Sequence, residues 1–494
     1  MGKRPNIVLI MSDQHNPHVM GCGGHDVVRT PNLDALAAEG VQFTSAYCPG
    51  PLCVPSRMGF LAAQYPSDVD VWANGNRLDA NVRTFAHGLT DAGYETVLCG
   101  RMHFIGPDQH HGFEKRLYGD CWHFLSKEIT GRGWNRTNGQ TKYAVEVSGH
   151  GRAGFEEFDR RVTDKAVECI ATRDDERPYC MVVGYILPHN PLICERELFE
   201  YYMEKLPLPE STSPEALAKL HPAIRAWRER RGVDDITPEQ ARRGLAAYCG
   251  LVTTMDRNIG KVIDAVKASP DADDTVVIYT TDHGDLAGEH GMWWKSNYYE
   301  GAARVPLIVS CPSRFEADTI DAVASLIDVG PTLLDLAAAE PMHGVSGRSL
   351  APFLTGAAPV DWSNETFSEY AGAHGDKPSC MIRSGPWKLM YYSEYDSFLL
   401  FNLDEDPDEL TDCATDPACR EVGEELLAKI HARWSADRVL EGNAQQQRTV
   451  SALSREQRLG TDGDLHETPP DDANVFDFSQ VPGWNEICKR LGES

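Results

Sequence analysis

Five short apolar runs constrain what this chain can fold into: Ile7–Met11, Thr96–Cys99, Cys180–Ile186, Thr275–Thr280 and Val305–Ser310. Each is too continuous for a strand with one wet face, so each reads as a strand covered on both sides. Helix-like segments separate them. Pro31–Glu39 starts on proline, Asn81–Ala92 stops at Gly93, and Glu239–Ala268 holds a long amphipathic pattern, with Asp164–Ala171 and Asp328–Ala338 completing the set. This alternation predicts an α/β fold: a large, mainly parallel or mixed sheet flanked by helices on both faces. Functional residues of such sheets stand beyond the carboxyl ends of the strands.

The pattern changes near residue 360. Cys380–Arg383, Trp387–Tyr392 and Phe398–Asn402 are short runs joined by tight turns, and a helical pattern follows near Glu421–Trp434. They predict a smaller C-terminal α+β subdomain built on an antiparallel sheet. The expected division is a main unit over 1–360, this subdomain over 361–440, and an extended polar tail over 441–494 that includes Pro469-Pro470-Asp471-Asp472. Such a tail packs on the body or on a neighbouring subunit, so a homo-oligomer is expected.

Charge and cysteine usage exclude several classes. A net charge of −27 with no offsetting basic cluster argues against a nucleic-acid partner, though a local basic pocket can still hold one small anion. No apolar run approaches the length of a membrane span. The 14 cysteines are scattered with no CxxC pair, so neither a zinc ribbon nor a disulfide framework is indicated. Met1–Pro5 runs straight into the first strand and lacks a leader's features, which predicts a cytoplasmic protein.

Cys53-Val54-Pro55-Ser56-Arg57 carries the first chemical signal. Tyr47–Leu52 leads in as a loop and Met58–Ala63 continues as a helix, so Cys53 sits at a helix N-terminus, where free N–H groups favour an anion. Arg57, one turn later, can reach back with a planar fork of donors. Alone, Cys53 reads first as a buried structural thiol. Other stretches change the balance. Asp13-Gln14 follows the first strand, and Asp282-His283 follows Thr275–Thr280 in the same way. A single Asp after a strand is also a helix cap. Two such pairs beside an anion-type loop favour a hard divalent cation, with Gln14 and His283 adding to the carboxylates. Arg101 and His103 follow Thr96–Cys99, His189 follows the strand ending at Ile186, and Lys295 lies just beyond His283. Trp293, Trp294, Tyr298 and Tyr299 read either as packing under this place or as a surface for a sugar or a quaternary ammonium.

These stretches, in this order, resemble the sulfatase family of the alkaline-phosphatase superfamily. Thr30–Asp34, Pro331–Asp335 and Trp387-Lys388-Leu389 match further landmarks, and Phe104–Gln109 with Gly112-Phe113-Glu114 is similar to choline sulfatases. The resemblance implies a sulfuric ester hydrolase with its catalytic domain over 1–360. Cys53 would be oxidised by a maturation enzyme to formylglycine. Asp13, Gln14, Asp282, His283 and the modified Cys53 would bind a divalent metal. Arg57 would hold the formylglycine, and Arg101 with Lys295 would clamp the sulfate. His103 would take a proton from the formylglycine diol. His189, with Lys295, would serve the leaving alcohol, and Asn74 would contact substrate. The implied substrates are choline sulfate, a sulfated sugar or an aryl sulfate. The alternative is a phosphonate monoester or phosphodiester hydrolase of the same superfamily.

The chain departs from the family pattern in places. Gln14 stands where many sulfatases have a second Asp, His283 where many have Asn, and Arg101 where Lys is usual. Calcium is the expected cation, and because this set is less negative and softer, manganese is the second candidate. Ala62-Ala63 replaces a common Thr-Gly.

Overall fold

The computed structural model describes residues 4–121, 137–454, 457–458, 469–470 and 472–491. Its first strand explains the apolar runs. All eight residues of β1 (Asn6–Asp13) are buried. Val8 and Ile10 enter one core, while Ile7, Leu9 and Met11 enter the other. Alternate side chains thus go to opposite faces, and both faces are covered. Burying each Ile or Leu contributes about 1.5–3 kcal/mol, which fixes the register of the central strands.

The large sheet holds nine strands among the described residues. Their order is β10 (Asp318–Ile320), β2 (Val41–Tyr47), β9 (Arg304–Ser310), β8 (Thr275–Thr281), β1, β6 (Tyr179–Pro188), β3 (Glu95–Gly100) and β4 (Lys115–Tyr118), with β11 (Ala324–Ser325) also on β2. β1, β3, β4, β6 and β8 run parallel, and β9 alone opposes its neighbours β2 and β8. The expected mainly parallel, mixed sheet is therefore what forms. The carboxyl ends of β1, β3, β6 and β8 share one edge.

Helices cover both faces. The 31-residue helix Pro238–Ala268 starts with proline and a Thr237–Gln240 capping box. Its Tyr248 hydroxyl accepts from Asn16 N at 2.8 Å and donates to the Gln14 carbonyl at 2.7 Å, pinning the loop after β1. On the other face lie Cys53–Ala62, Phe85–Asp91 and Val329–Leu336.

The C-terminal sheet is the expected meander of β12 (Glu365–Tyr370), β13 (Ser379–Ser384), β14 (Trp387–Tyr392) and β15 (Ser397–Asn402), with helix Arg420–Arg433 packed on it. Lys388 joins it to the body. Its side chain is fully buried, with Nζ 2.7 Å from Glu300 and 2.6 Å from Glu409. Removing one partner of such a group strands the others' charge, so Lys388→Met is expected to cost about 3–5 kcal/mol. Urea unfolding measures it; a loss within error of zero would mean the network does not join the two parts.

The tail differs from expectation. It begins as a helix, Ala436–Ser451, which buries Val439 and Val450, and it ends as a second helix, Trp484–Leu491. Trp72 lies so close to Gly442 that any side chain there would collide, which accounts for a glycine inside the helix. Between them β16 (Val475–Phe476) pairs with β5 (Gly149–Arg152), which pairs with β7 (Ile193–Cys194). The tail thus docks on the body largely as paired and helical chain. Met1–Lys3 and, in the tail, residues 455–456, 459–468, 471 and 492–494 lie outside the described residues.

Candidate active site

Cys53 is the centre of the carboxyl edge. It opens helix Cys53–Ala62 in the loop beyond β2, and the Asn74 side chain accepts the next backbone N–H, that of Val54, at 3.0 Å. Its Sγ lies 3.3 Å from His283 Nε2, 3.3 Å from Lys295 Nζ and 3.6 Å from Asp13 Oδ1. Burial, then the negative Asp13, pushes the thiol up to about 11.

Asp13, Cys53, Asp282 and His283 each place one ligand-type atom within 4.8 Å of the others. The donor chemistry fits a cation. His283 Nδ1 donates to the Gly284 carbonyl at 3.0 Å, which leaves the Nε2 lone pair facing the cluster. Burial holds this imidazole down to about 4, so it stays neutral. Gln14 joins them: its Oε1 lies 2.5 Å from Lys295 Nζ. Burial opposes the Asp13 carboxylate, yet Arg101, Lys295, His189 and Arg57 together hold it well below the usual range.

Both arginines are held by carboxylates. Arg57 is fully buried and its donors go to Asp282 (Nε, 2.8 Å), Asp13 (3.2 Å) and the carbonyls of Ser12 and Arg101 (3.1 and 3.2 Å). Among the described residues none of these bonds reaches Cys53. Arg57 therefore fixes the two carboxylates that flank the unmodified Cys53. Arg101 spans Asp13 (Nε, 2.6 Å), Asp120 (Nη1, 3.0 Å) and His103 Nδ1 (Nη2, 2.7 Å).

That last bond decides a tautomer. A guanidinium only donates, so His103 Nδ1 accepts and neutral His103 carries its proton on Nε2. His189 is the reverse: its Nδ1 donates to the Asn190 carbonyl at 2.7 Å, leaving Nε2 as an acceptor. Burial first, and then Arg101 for His103 or Lys295 for His189, holds both rings well below the ordinary histidine value. Gln14 and His103 take left-handed backbone, φ 74° and 63°, a conformation uncommon outside glycine.

Sequence reasoning missed two buried carboxylates behind these groups. Asp120 binds Arg101 and accepts the backbone N–H groups of Met102, His103 and Cys121. Asp285 accepts from Gln14 Nε2 at 2.6 Å and from the N–H groups of Ala287 and Trp294 at 2.7 and 2.8 Å. The strand-then-carboxylate signal stands at Tyr118-Gly119-Asp120, but β4 is four residues long and escapes notice as a strand.

Of the two readings of the four aromatics, the structure takes packing. Trp293, Trp294, Tyr298 and Tyr299 are at most 2% exposed, so they offer no face to a ligand. Trp294 tilts on Trp227, Tyr298 bonds Ser379, and Tyr299 stacks on His290.

Oxygen and imidazole donors for a cation, set against Arg and Lys at a helix N-terminus, make a place for a tetrahedral oxyanion ester. Such a site suits an enzyme that hydrolyses esters of tetrahedral oxyanions. The sulfatase family matches residues 5–339, and the family described as N-sulphoglucosamine sulphohydrolase, C-terminal, matches residues 288–435. A choline-sulfatase of Rhizobium meliloti is 34% identical over 443 residues, covering 84% of this chain and 83% of that relative. An N-acetylglucosamine-6-O-sulfatase of Bacteroides thetaiotaomicron is 26% identical, covering 83% and 82%. The structure of a phosphonate monoester hydrolase from Silicibacter pomeroyi superposes with a TM-score of 0.72 at 25% identity, covering 87% of this chain and 94% of that one. The chain belongs to the sulfatase family, and it is a sulfuric ester hydrolase.

Proposed function

We propose that this sulfatase uses formylglycine made from Cys53, with a divalent cation, calcium before manganese, on Asp13, Gln14, Asp282 and His283. The observation that carries this reading is the position of Cys53 Sγ, 3.3 Å from both His283 Nε2 and Lys295 Nζ. As a hydrated aldehyde, residue 53 supplies one hydroxyl to attack sulfur and a second that, on losing its proton, expels sulfate. The cation supplies acidity to the attacking hydroxyl and offsets charge on the ester oxygens.

The remaining work falls to the chain's own side chains. Lys295 neutralises the ester beside residue 53. Arg101 binds it through the edge turned toward His103. His103 takes up the second hydroxyl's proton once that binding draws Arg101 away from Nδ1. His189 faces the leaving alcohol with Nε2, and an anionic ester between it and Lys295 favours its acid form. Asn74 uses its Oδ1 on Val54, which leaves its amide nitrogen for substrate.

Among alcohols, choline is the first choice, because the choline-sulfatase of Rhizobium meliloti is a 34% identical relative. Sulfated sugars and aryl sulfates follow. No helix among the described residues is long and apolar enough to cross a membrane. A cytoplasmic homo-oligomer served by a maturation enzyme completes the reading, with the domain divisions at 360 and 440.

A second reading, phosphonate monoester hydrolysis, is favoured by the Asp-Gln and Asp-His pairs and by the phosphonate hydrolase superposition. Choline sulfate, an aryl sulfate and an aryl phosphonate monoester, assayed side by side on protein matured at Cys53, separate the two. The expected result is a kcat/KM for sulfate esters above that for the phosphonate. A preference for the phosphonate would replace the first reading by the second.

A further inference from the structure

Gln14 is the one neutral amide in the candidate ligand set, and an amide has a wrong way round. Nothing in its own geometry makes Oε1 rather than Nε2 face the cation. The decision comes from both sides: Lys295 Nζ, which only donates, takes Oε1 at 2.5 Å, and Asp285 takes Nε2 from behind. Gln14 Nε2 lies 2.6 Å from Asp285 Oδ2 and 3.4 Å from Asn190 Oδ1. Asp285 is 1% exposed, and its other oxygen accepts two backbone N–H groups, those of Ala287 and Trp294. An ionised carboxylate only accepts, so it turns Gln14 Nε2 toward itself and Oε1 toward Lys295. The Trp294 N–H bond also fixes the backbone one residue before Lys295.

We propose that Asp285 is a positioning residue that sets which atom of Gln14 meets the metal. This rests on the metal reading of Gln14 given above. It means that the carboxylate many sulfatases place at position 14 is here held one layer back, acting through an amide.

The bond pattern dictates what each substitution does. In Asp285→Asn, the new Oδ1 must still accept from Ala287 and Trp294. Its NH2 then meets Gln14 NH2, and turning Gln14 over would set that NH2 against Lys295 Nζ, so neither orientation is satisfied and Oε1 is no longer held toward the cation. In Gln14→Glu, two carboxylates face each other across 2.6 Å of the present contact. In Gln14→Glu/Asp285→Asn, the Asn NH2 donates to one Glu oxygen and the other faces the cation. The double variant restores the pattern with donor and acceptor exchanged.

The test is calorimetric titration of chelator-stripped protein with Ca2+ and with Mn2+, alongside thermal melting of all four proteins. Asp285→Asn is expected to weaken binding by about 10–100-fold. The double variant is expected to bind more tightly than Asp285→Asn and to melt higher than either single variant. A merely structural role would give no such rescue. Failure of the double variant to recover in both readouts overturns the proposal, even if Asp285→Asn folds too poorly to titrate. Unchanged affinity in Asp285→Asn overturns it alone, with the metal site intact. Absence of any Ca2+ or Mn2+ binding by the wild-type protein overturns the metal reading and this inference together.

Discussion

Cys53→Ala is expected to abolish turnover, with kcat falling on the order of 10^5-fold or more, as when a covalent nucleophile is removed. The fold is expected to survive. The change deletes one buried sulfur, and the surrounding charges do not depend on it. Asp13 and Asp282 are already held by Arg57 at 3.2 and 2.8 Å, and Gln14 by Asp285 at 2.6 Å. The melting temperature should move by no more than a few degrees, about what 1 kcal/mol gives a domain of this size or smaller. Cys53→Ser makes a sharper test of the two-hydroxyl chemistry. Serine supplies a hydroxyl to attack but no second one to expel sulfate, so it should react once and keep the sulfo group. Intact-protein mass spectrometry after exposure to an aryl sulfate reads that addition. Full turnover by the alanine variant would sink the assignment of residue 53. Multiple turnovers by the serine variant would sink formylglycine while leaving a hydroxyl nucleophile.

What could be read in the sequence, and what could not, follows from where specificity is stored. β1, β3, β6, β8 and β9 were legible because a strand covered on both faces must be apolar throughout. β2 was not, because Gln42, Thr44 and Ser45 are only half-buried and break the run. The helix expected over Asp164–Ala171 starts at Gly154, and its first turns were missed because Glu156, Glu157, Arg160 and Arg161 interrupt the apolar pattern. The helix at Ala436–Ser451 hid for a similar reason: it buries Val439 and Val450 and little else. Each named site residue comes to the same edge because each follows a strand end or the helix start beside it. What the spacing could not show is who holds whom. That Arg57 serves the carboxylates, that Arg101 fills His103 Nδ1, and that Asp120 and Asp285 stand behind them depends on contacts between residues up to 271 positions apart. The aromatic run at Trp293–Tyr299 is the converse case. Its composition fits a binding surface, but Gly244 lets Trp293 settle against helix Pro238–Ala268 and takes its face out of reach.

Removal of the proposed cation is expected to lower kcat by at least about 10^3-fold, since the acidity it would lend to the attacking hydroxyl and the charge it would offset are both lost. It should do so without unfolding the protein, and the reason lies in the charge count. Asp13, Asp282 and Asp120 face Arg57, Arg101 and Lys295, and most of the pairs are in contact: Asp13 with Arg57 and Arg101, Asp282 with Arg57, and Asp120 with Arg101. With Asp285 behind Gln14, the side chains sum to one negative charge without a metal and one positive charge with a divalent cation. The site holds its shape either way, and the added charge is available to draw in an anionic ester. The cation then adds to stability only through mass action, about 2.7 kcal/mol at a hundredfold excess over its dissociation constant. A structural metal would behave otherwise, since chelation would melt the domain. Activity and circular dichroism, followed together through chelation and then addition of Ca2+ or Mn2+, separate the cases. Loss and recovery of activity at constant ellipticity is the expected result. Undiminished activity in protein shown to be metal-free would remove the cation from the reaction. Loss of ellipticity on chelation would mean that the arginine pairs do not carry the fold of this edge.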